Sequence, residues 1–289
     1  MTKPSKLAPV VLTVFGLPFL AGGLFAAFSF LQDANQPLPA RIGAAVFASV
    51  FAIIGGGLIF GGFYGYSRQK KQSDTELANP GSPWLWRPDW AAGRVKSMNK
   101  SRAIGWWVAA GLVNMFCLPA AIGGIFKGLE TQDPVYLFPA ALGLIGLIVF
   151  FGAARATIRL ERFGKTYFRM TSLPFSPGSR LAGAIHVQLN TDAAHGVDLK
   201  LACIRRVITG TGNNRSTQDA PLWDDSKNVP ATSFIRGPLD TVIPVEFALP
   251  ADAIQTDHNN PDDQVLWLLK ANADVPGVNY SDEFELPVF

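Results

Sequence analysis

The chain has 289 residues, 48% of them hydrophobic and only 16% charged, with a mean hydropathy of +0.20, too apolar for an ordinary soluble protein. Its formal charge of +3 hides a split: residues 1–160 carry 14 Lys and Arg against 6 Asp and Glu (+8), whereas residues 161–289 carry 11 against 16 (−5). The basic residues border apolar stretches and are not gathered on a reading helix, which suits anionic lipid head groups and gives no ground for a nucleic-acid partner.

Four stretches lack charge for long enough to cross roughly 30 Å of hydrocarbon, which takes about 20 helical residues. They are Pro9 to Leu31, Ile42 to Tyr66, Ala103 to Phe126, and Pro134 to Ala154. The first has an apolar core too long for a signal peptide and another span follows at once, so it is read as a span. Pro18, Pro119 and Pro139 fall inside these stretches, where neighbouring helices can satisfy the freed carbonyls. Gly57, Gly61 and Gly65 have the four-residue spacing that lets helix backbones approach, and internal packing is preferred over a seam between two copies. Asn114, within the third stretch, is expected to hydrogen-bond between helices.

Between spans two and three lies a basic, Trp-rich loop, residues 67–102. Its centre, Pro83-Trp84-Leu85-Trp86-Arg87-Pro88-Asp89-Trp90-Ala91-Ala92-Gly93-Arg94, combines amphipathic rings with guanidinium groups, so the loop is expected to lie on the membrane. Trp84, Trp86, Arg87, Trp90 and Arg94 are candidate anchors of an interface, either with a partner protein or with the chain's own soluble domain. Lys and Arg are concentrated at the N-terminus, in this loop and after span four, while the other two short loops offer only Arg41 and Lys127. Both termini are therefore expected on the cytoplasmic side.

The spans also repeat. Phe15-Gly16-Leu17-Pro18-Phe19-Leu20-Ala21-Gly22-Gly23-Leu24-Phe25 aligns with Phe116-Cys117-Leu118-Pro119-Ala120-Ala121-Ile122-Gly123-Gly124-Ile125-Phe126, and Gln32-Asp33 with Gln132-Asp133. Residues 1–66 and 103–160 thus read as two related helical hairpins, forming a four-helix bundle with a pseudo-twofold axis along the membrane normal.

From Lys165 the apolar period changes to two. Strands are expected at Lys165 to Thr171, Leu181 to Leu189, Val197 to Cys203, Ile243 to Leu249, Val265 to Ala271 and Tyr280 to Val288, with turn-formers such as Ser176-Pro177-Gly178 and Pro276-Gly277 between them. Gly210 to Leu239 is polar and poorly patterned, and reads as a long loop or hairpin. The fold class is a membrane helical bundle followed by an all-β antiparallel sandwich over residues 161–289.

Phe175-Ser176-Pro177-Gly178-Ser179-Arg180-Leu181-Ala182-Gly183-Ala184-Ile185-His186-Val187 resembles the first strand of arrestin-like sandwiches, and Pro244 to Pro250, Val265 to Leu269 and Tyr280 to Val288 resemble later strands of that fold. Over the whole chain, the Trp-Leu-Trp-Arg-Pro-Asp-Trp loop and the Phe-Glu-Leu-Pro-Val-Phe ending are similar to an uncharacterised family of bacterial inner-membrane proteins. The resemblance implies an adaptor-type sandwich in the inner membrane and supplies no catalytic residues.

Chemistry-bearing motifs are sparse. Cys117 and Cys203 read as small buried hydrophobes. His186, His195 and His258 are far apart in sequence, and His186, between inward-facing Ile185 and Val187, should point outward. The acidic run Asp257-His258-Asn259-Asn260-Pro261-Asp262-Asp263 lacks the spacing of a calcium loop and reads as a solvated turn, as does Asp224-Asp225. No nucleophile elbow, phosphate loop or metalloprotease motif occurs. The expectation is a non-enzymatic, cofactor-free scaffold that presents a cytoplasmic sandwich to a protein partner from the lipid bilayer, with self-association left open. The alternative is a homo-oligomeric channel or small-molecule translocator gated by the sandwich, although no ionisable group lies deep in the spans.

Overall fold

A computed structural model describes residues 7–189, 196–210, 214–237 and 240–289. The chain divides into two compact units, Met1–Gly81 and Ser82–Phe289, each described by itself.

The first unit is a helical hairpin of α1 (Leu7–Gln32) and α2 (Leu38–Ala78). Its helices meet where side chains are smallest. A Cβ built on Gly16 would come within 2.7 Å of the Gly55 carbonyl oxygen, Gly23 lies against the backbone of Ala48 and Ala52, and Gly62 faces Pro9 and Leu12 at 3.2 Å. Nothing comes within 4 Å of Gly57, Gly61 or Gly65. The expected packing glycines are therefore not those that hold this hairpin: spacing shows that a helix has a small-residue face, but neighbouring Gly55 and Gly62 are the ones turned toward α1. At about 60 Å, α2 is also twice the length of a span. Ser67 to Ala78, expected as loop, is free of Gly and Pro and keeps the helix running until Asn79-Pro80-Gly81.

The second unit contains a hairpin of its own and the β domain. After Ser82 come a 3₁₀ turn (Pro83–Leu85), the single-turn helix α3 (Pro88–Ala91) and strand β1 (Arg94–Lys96), then α4 (Asn99–Thr131) and α5 (Leu137–Phe163). Pro139 stands in the first turn of α5, where its missing N–H has no intrahelical partner to lose. Asn114 donates from Nδ2 to the carbonyls of Ala110 (2.9 Å) and Gly146 (3.0 Å), joining α4 to α5 as expected. All four long helices are long and apolar enough to cross a membrane. The sequence repeat has a structural counterpart: Gly23 and Gly124 both lie against the adjoining helix, while Gly22 and Gly123 both face open space.

The β domain has nine further strands: β2 (Tyr167–Met170), β3 (Arg180–Val187), β4 (Val197–Thr209), β5 (Ser216–Val229), β6 (Ile235–Arg236), β7 (Thr241–Ala248), β8 (Asp257–Asn260), β9 (Asp263–Ala273) and β10 (Tyr280–Leu286). Every ladder is antiparallel. One sheet has the order β1-β2-β3-β7-β6 and the other β10-β9-β4-β5, with β8 also on β9. Alternation sends Leu181, Ile185, Ile243, Val245 and Phe247 of the first sheet, and Leu199, Leu201, Trp267, Leu269 and Phe284 of the second, into one shared core. Cys203 is buried there, and burial pushes its thiol up to about 11. The six strands read from alternation are all present. Gly210 to Leu239 holds, in addition, the 14-residue β5, whose ladder with β4 carries a bulge opposite Cys203 and Ile204.

Candidate functional site

The Trp-rich segment is built into the β domain. β1 pairs with β2 in the register Arg94↔Arg169, Val95↔Phe168 and Lys96↔Tyr167, burying Val95 in the sandwich core. Upstream, α3 brings Trp90 onto the free edge of β10. Trp90 is 1% exposed, and its Nε1 donates to the Glu285 carbonyl at 3.0 Å. The Met98 N–H donates to the Glu283 carbonyl at 3.2 Å, and Asn99 Nδ2 to the Ser281 carbonyl at 2.7 Å. Residues 281, 283 and 285 point their carbonyls the same way because a strand repeats every two residues. Three donors from one segment thus satisfy a sheet edge that would otherwise be open.

Ion pairs hold the same contact. The Arg87 guanidinium stacks 4.3 Å above the Trp90 ring and bonds Glu285 at 2.6 Å and Asp89 at 3.0 Å. Burial would lower the Arg87 value, but the two carboxylates outweigh it and hold it above its ordinary range. Glu285 also faces the His258 ring at 3.2 Å. Burial alone would raise Glu285; His258 and Arg87 together overcome that and bring it down to about 2. The C-terminal Phe289 ring lies 5.8 Å from Trp84 and 6.1 Å from Trp90, while its N–H bonds the Phe175 carbonyl at 2.8 Å.

On the core face of the same strand sits a buried polar group. Asp282 is 3% exposed and accepts from Ser97 Oγ and Asn99 Nδ2. Burial raises its carboxyl above the usual range, against the opposing Ser97, Thr166 and Tyr280 hydroxyls and the Arg159 charge. Tyr280, 1% exposed and packed on Phe163, is raised well above its usual value, chiefly by burial and then by Asp282.

Trp90 and Arg87 are thus committed inside the chain, Trp84 packs on the Phe289 ring, and the exposed Arg94 of β1 lies over Tyr167. Of the two interface partners expected for these anchors, the chain's own domain is the one that Arg87, Trp90 and Trp84 meet, because an indole N–H and an unpaired sheet edge satisfy one another. His186 does point outward, stacked on Tyr167 at 4.6 Å with Nδ1 2.7 Å from Asp240. His195 lies outside the described residues. The acidic run forms β8 and its turn into β9, with Asp263 held by Arg205 (2.6 Å) and Asp262 by Arg215 (2.5 Å). Asp224 pairs with Lys200 at 2.8 Å on the β4–β5 hairpin.

Sequence reasoning missed β5, which leaves a second sheet edge. Its residues are exposed along nearly their whole length, and among the described residues its backbone ladder is with β4 alone, the Ser226 N–H being taken by the neighbouring Asp225 carboxylate at 2.8 Å. Trp223 reaches inward to meet Trp267, with ring centroids 5.4 Å apart, and Val229 also packs against the core. An indole within an otherwise polar run was the available signal.

No protein-family model matches the chain, and no curated protein matches it. Among solved structures it is similar to the sporulation control protein Spo0M of Bacillus subtilis, at 17% identity and a TM-score of 0.27. That match covers 43% of this chain and about half, 48%, of Spo0M.

Proposed function

We propose that this is a non-enzymatic, membrane-anchored interaction protein of the bacterial inner membrane, with both termini in the cytoplasm and an arrestin-like sandwich that takes up an extended segment of a partner protein along β5. The observation that carries the reading is the contrast between the two edges of one sheet: β10 is covered by Trp90, Met98 and Asn99, whereas no strand among the described residues pairs with the outer edge of the 14-residue β5. Open edges are costly in aggregation risk, and proteins that retain a long one often use it for strand addition. Pro221, which has no N–H to donate, and Asp225, uncompensated among the described residues, restrain its pairing with a second copy. The occupant is instead a segment rich in Lys or Arg, because residues 161–289 carry a net −5.

A photo-crosslinking residue at Leu222, 42% exposed at the bulge of β5, tests this in cells making the full chain. The expected product is one reproducible adduct whose crosslinked peptide is a basic, extended stretch, with none from the same group at Ala248. No adduct, or an adduct only with a second copy, would refute the reading.

A further inference from the structure

One face of the first sheet has cations that no described carboxylate neutralises. Arg94 and Arg169 stand directly opposite each other across β1 and β2, and Lys96 projects from the same face beside Tyr167. Like charges in directly opposed positions cost stability. Among the described residues, none of the three has a carboxylate within ion-pair distance, although Arg94 lies over the Tyr167 ring. Farther along the same face the charges are paired, Arg180 with Glu246 at 2.9 Å and His186 with Asp240 at 2.7 Å. The excess is therefore local, and it lies in a domain whose residues are net acidic overall.

Its position follows from the connections. Ser97 and Met98 alone separate β1 from α4, and residues 164–166 separate α5 from β2, so each strand is tied within about 15 Å of a helix end. Asn99 lies about 10 Å along α4 from Trp106 and Trp107, rings of the kind that settle among head groups. Trp107 Nε1 bonds Thr157 Oγ1 at 2.7 Å, fixing the same level on α5.

We infer that the β1–β2 face is a docking surface for the anionic phospholipid head groups of the bilayer that the chain's own helices cross; the inference rests on the spanning reading. Phosphates seated between Arg94, Lys96 and Arg169 relieve their mutual repulsion. They hold the sandwich against the membrane on the side away from β5, which lies at an edge of the other sheet.

The test is hydrogen exchange of residues 94–96 and 167–170 in the full chain, incorporated into nanodiscs of neutral lipid or of neutral lipid with phosphatidylglycerol. Protection is expected to be about tenfold greater with the anionic lipid, to fall in high salt, and to vanish in R94Q/K96Q/R169Q but not in R180Q. Equal exchange in both lipids would overturn the inference. So would equal protection from inorganic phosphate added to neutral discs, which would mark a small-anion site, or an anionic-lipid effect that survives in the triple variant. A chain that enters discs of neither composition would refute the spanning reading itself, and the inference with it.

Discussion

Replacing Glu285 by Gln removes the charge that ties Arg87 and His258 to β10 while keeping the size of the side chain. Its carboxyl is held at about 2 against an ordinary 4.5, a difference (4.5 − 2) worth roughly 3.5 kcal/mol at about 1.4 kcal/mol per unit. Glu285 is 16% exposed but Arg87 is 34% exposed, so solvent screening brings the figure nearer to about 2 kcal/mol. The folded value is depressed, so the contribution is complete above about pH 4.5 and drains away as pH falls through about 2. The assay is hydrogen exchange at the Met98 amide, which bonds the Glu283 carbonyl at 3.2 Å, in the full chain in detergent. After correction for the chemical exchange rate, the E285Q variant should exchange about thirtyfold faster than wild type at pH 7, and the gap should have narrowed to about fourfold by pH 3. An unchanged rate in E285Q at pH 7, or a gap that persists undiminished at pH 3, would refute the argument.

Other substitutions probe the remaining contacts. Trp90→Ala should destabilise the β domain by about 3–5 kcal/mol in thermal unfolding, while Trp90→Phe should cost about 1–3 kcal/mol by leaving the Glu285 carbonyl without its donor. Asp282 behaves oppositely to Glu285: its raised carboxyl costs stability as pH climbs from the ordinary range through the folded value. Asp282→Asn should therefore melt no lower than wild type at pH 7, whereas Asp282→Leu, which abandons Ser97 and Asn99, should melt lower. Gly55→Leu should disrupt disulfide trapping between cysteines introduced into α1 and α2, and Gly57→Leu should leave it intact.

What could be read in the sequence was whatever has a period. Uninterrupted apolar stretches gave four helices, and Ile185, Ile243, Val245 and Trp267 alternate because one face of each strand is buried. β5 escaped because all but a few of its residues, Trp223 and Val229 among them, meet solvent, so its polar residues impose no alternation. The overhang of α2 escaped because charge ends a span but does not end a helix. Gly55 and Gly62 went unchosen because spacing cannot say which face of α2 meets α1. The Trp90 contact pairs positions 195 residues apart in sequence, and the donor–acceptor match between an indole and a sheet edge is visible only once both are placed.

The proposed role stands most directly on β5. Hydrogen exchange of Ser216–Val229 should be compared between the full chain in membranes from cells that make it and the same chain purified alone in detergent. Strand addition predicts protection of alternate β5 amides in the membranes and its loss on purification, with β4 equally protected in both. Equal exchange of β5 in the two preparations would contradict the account.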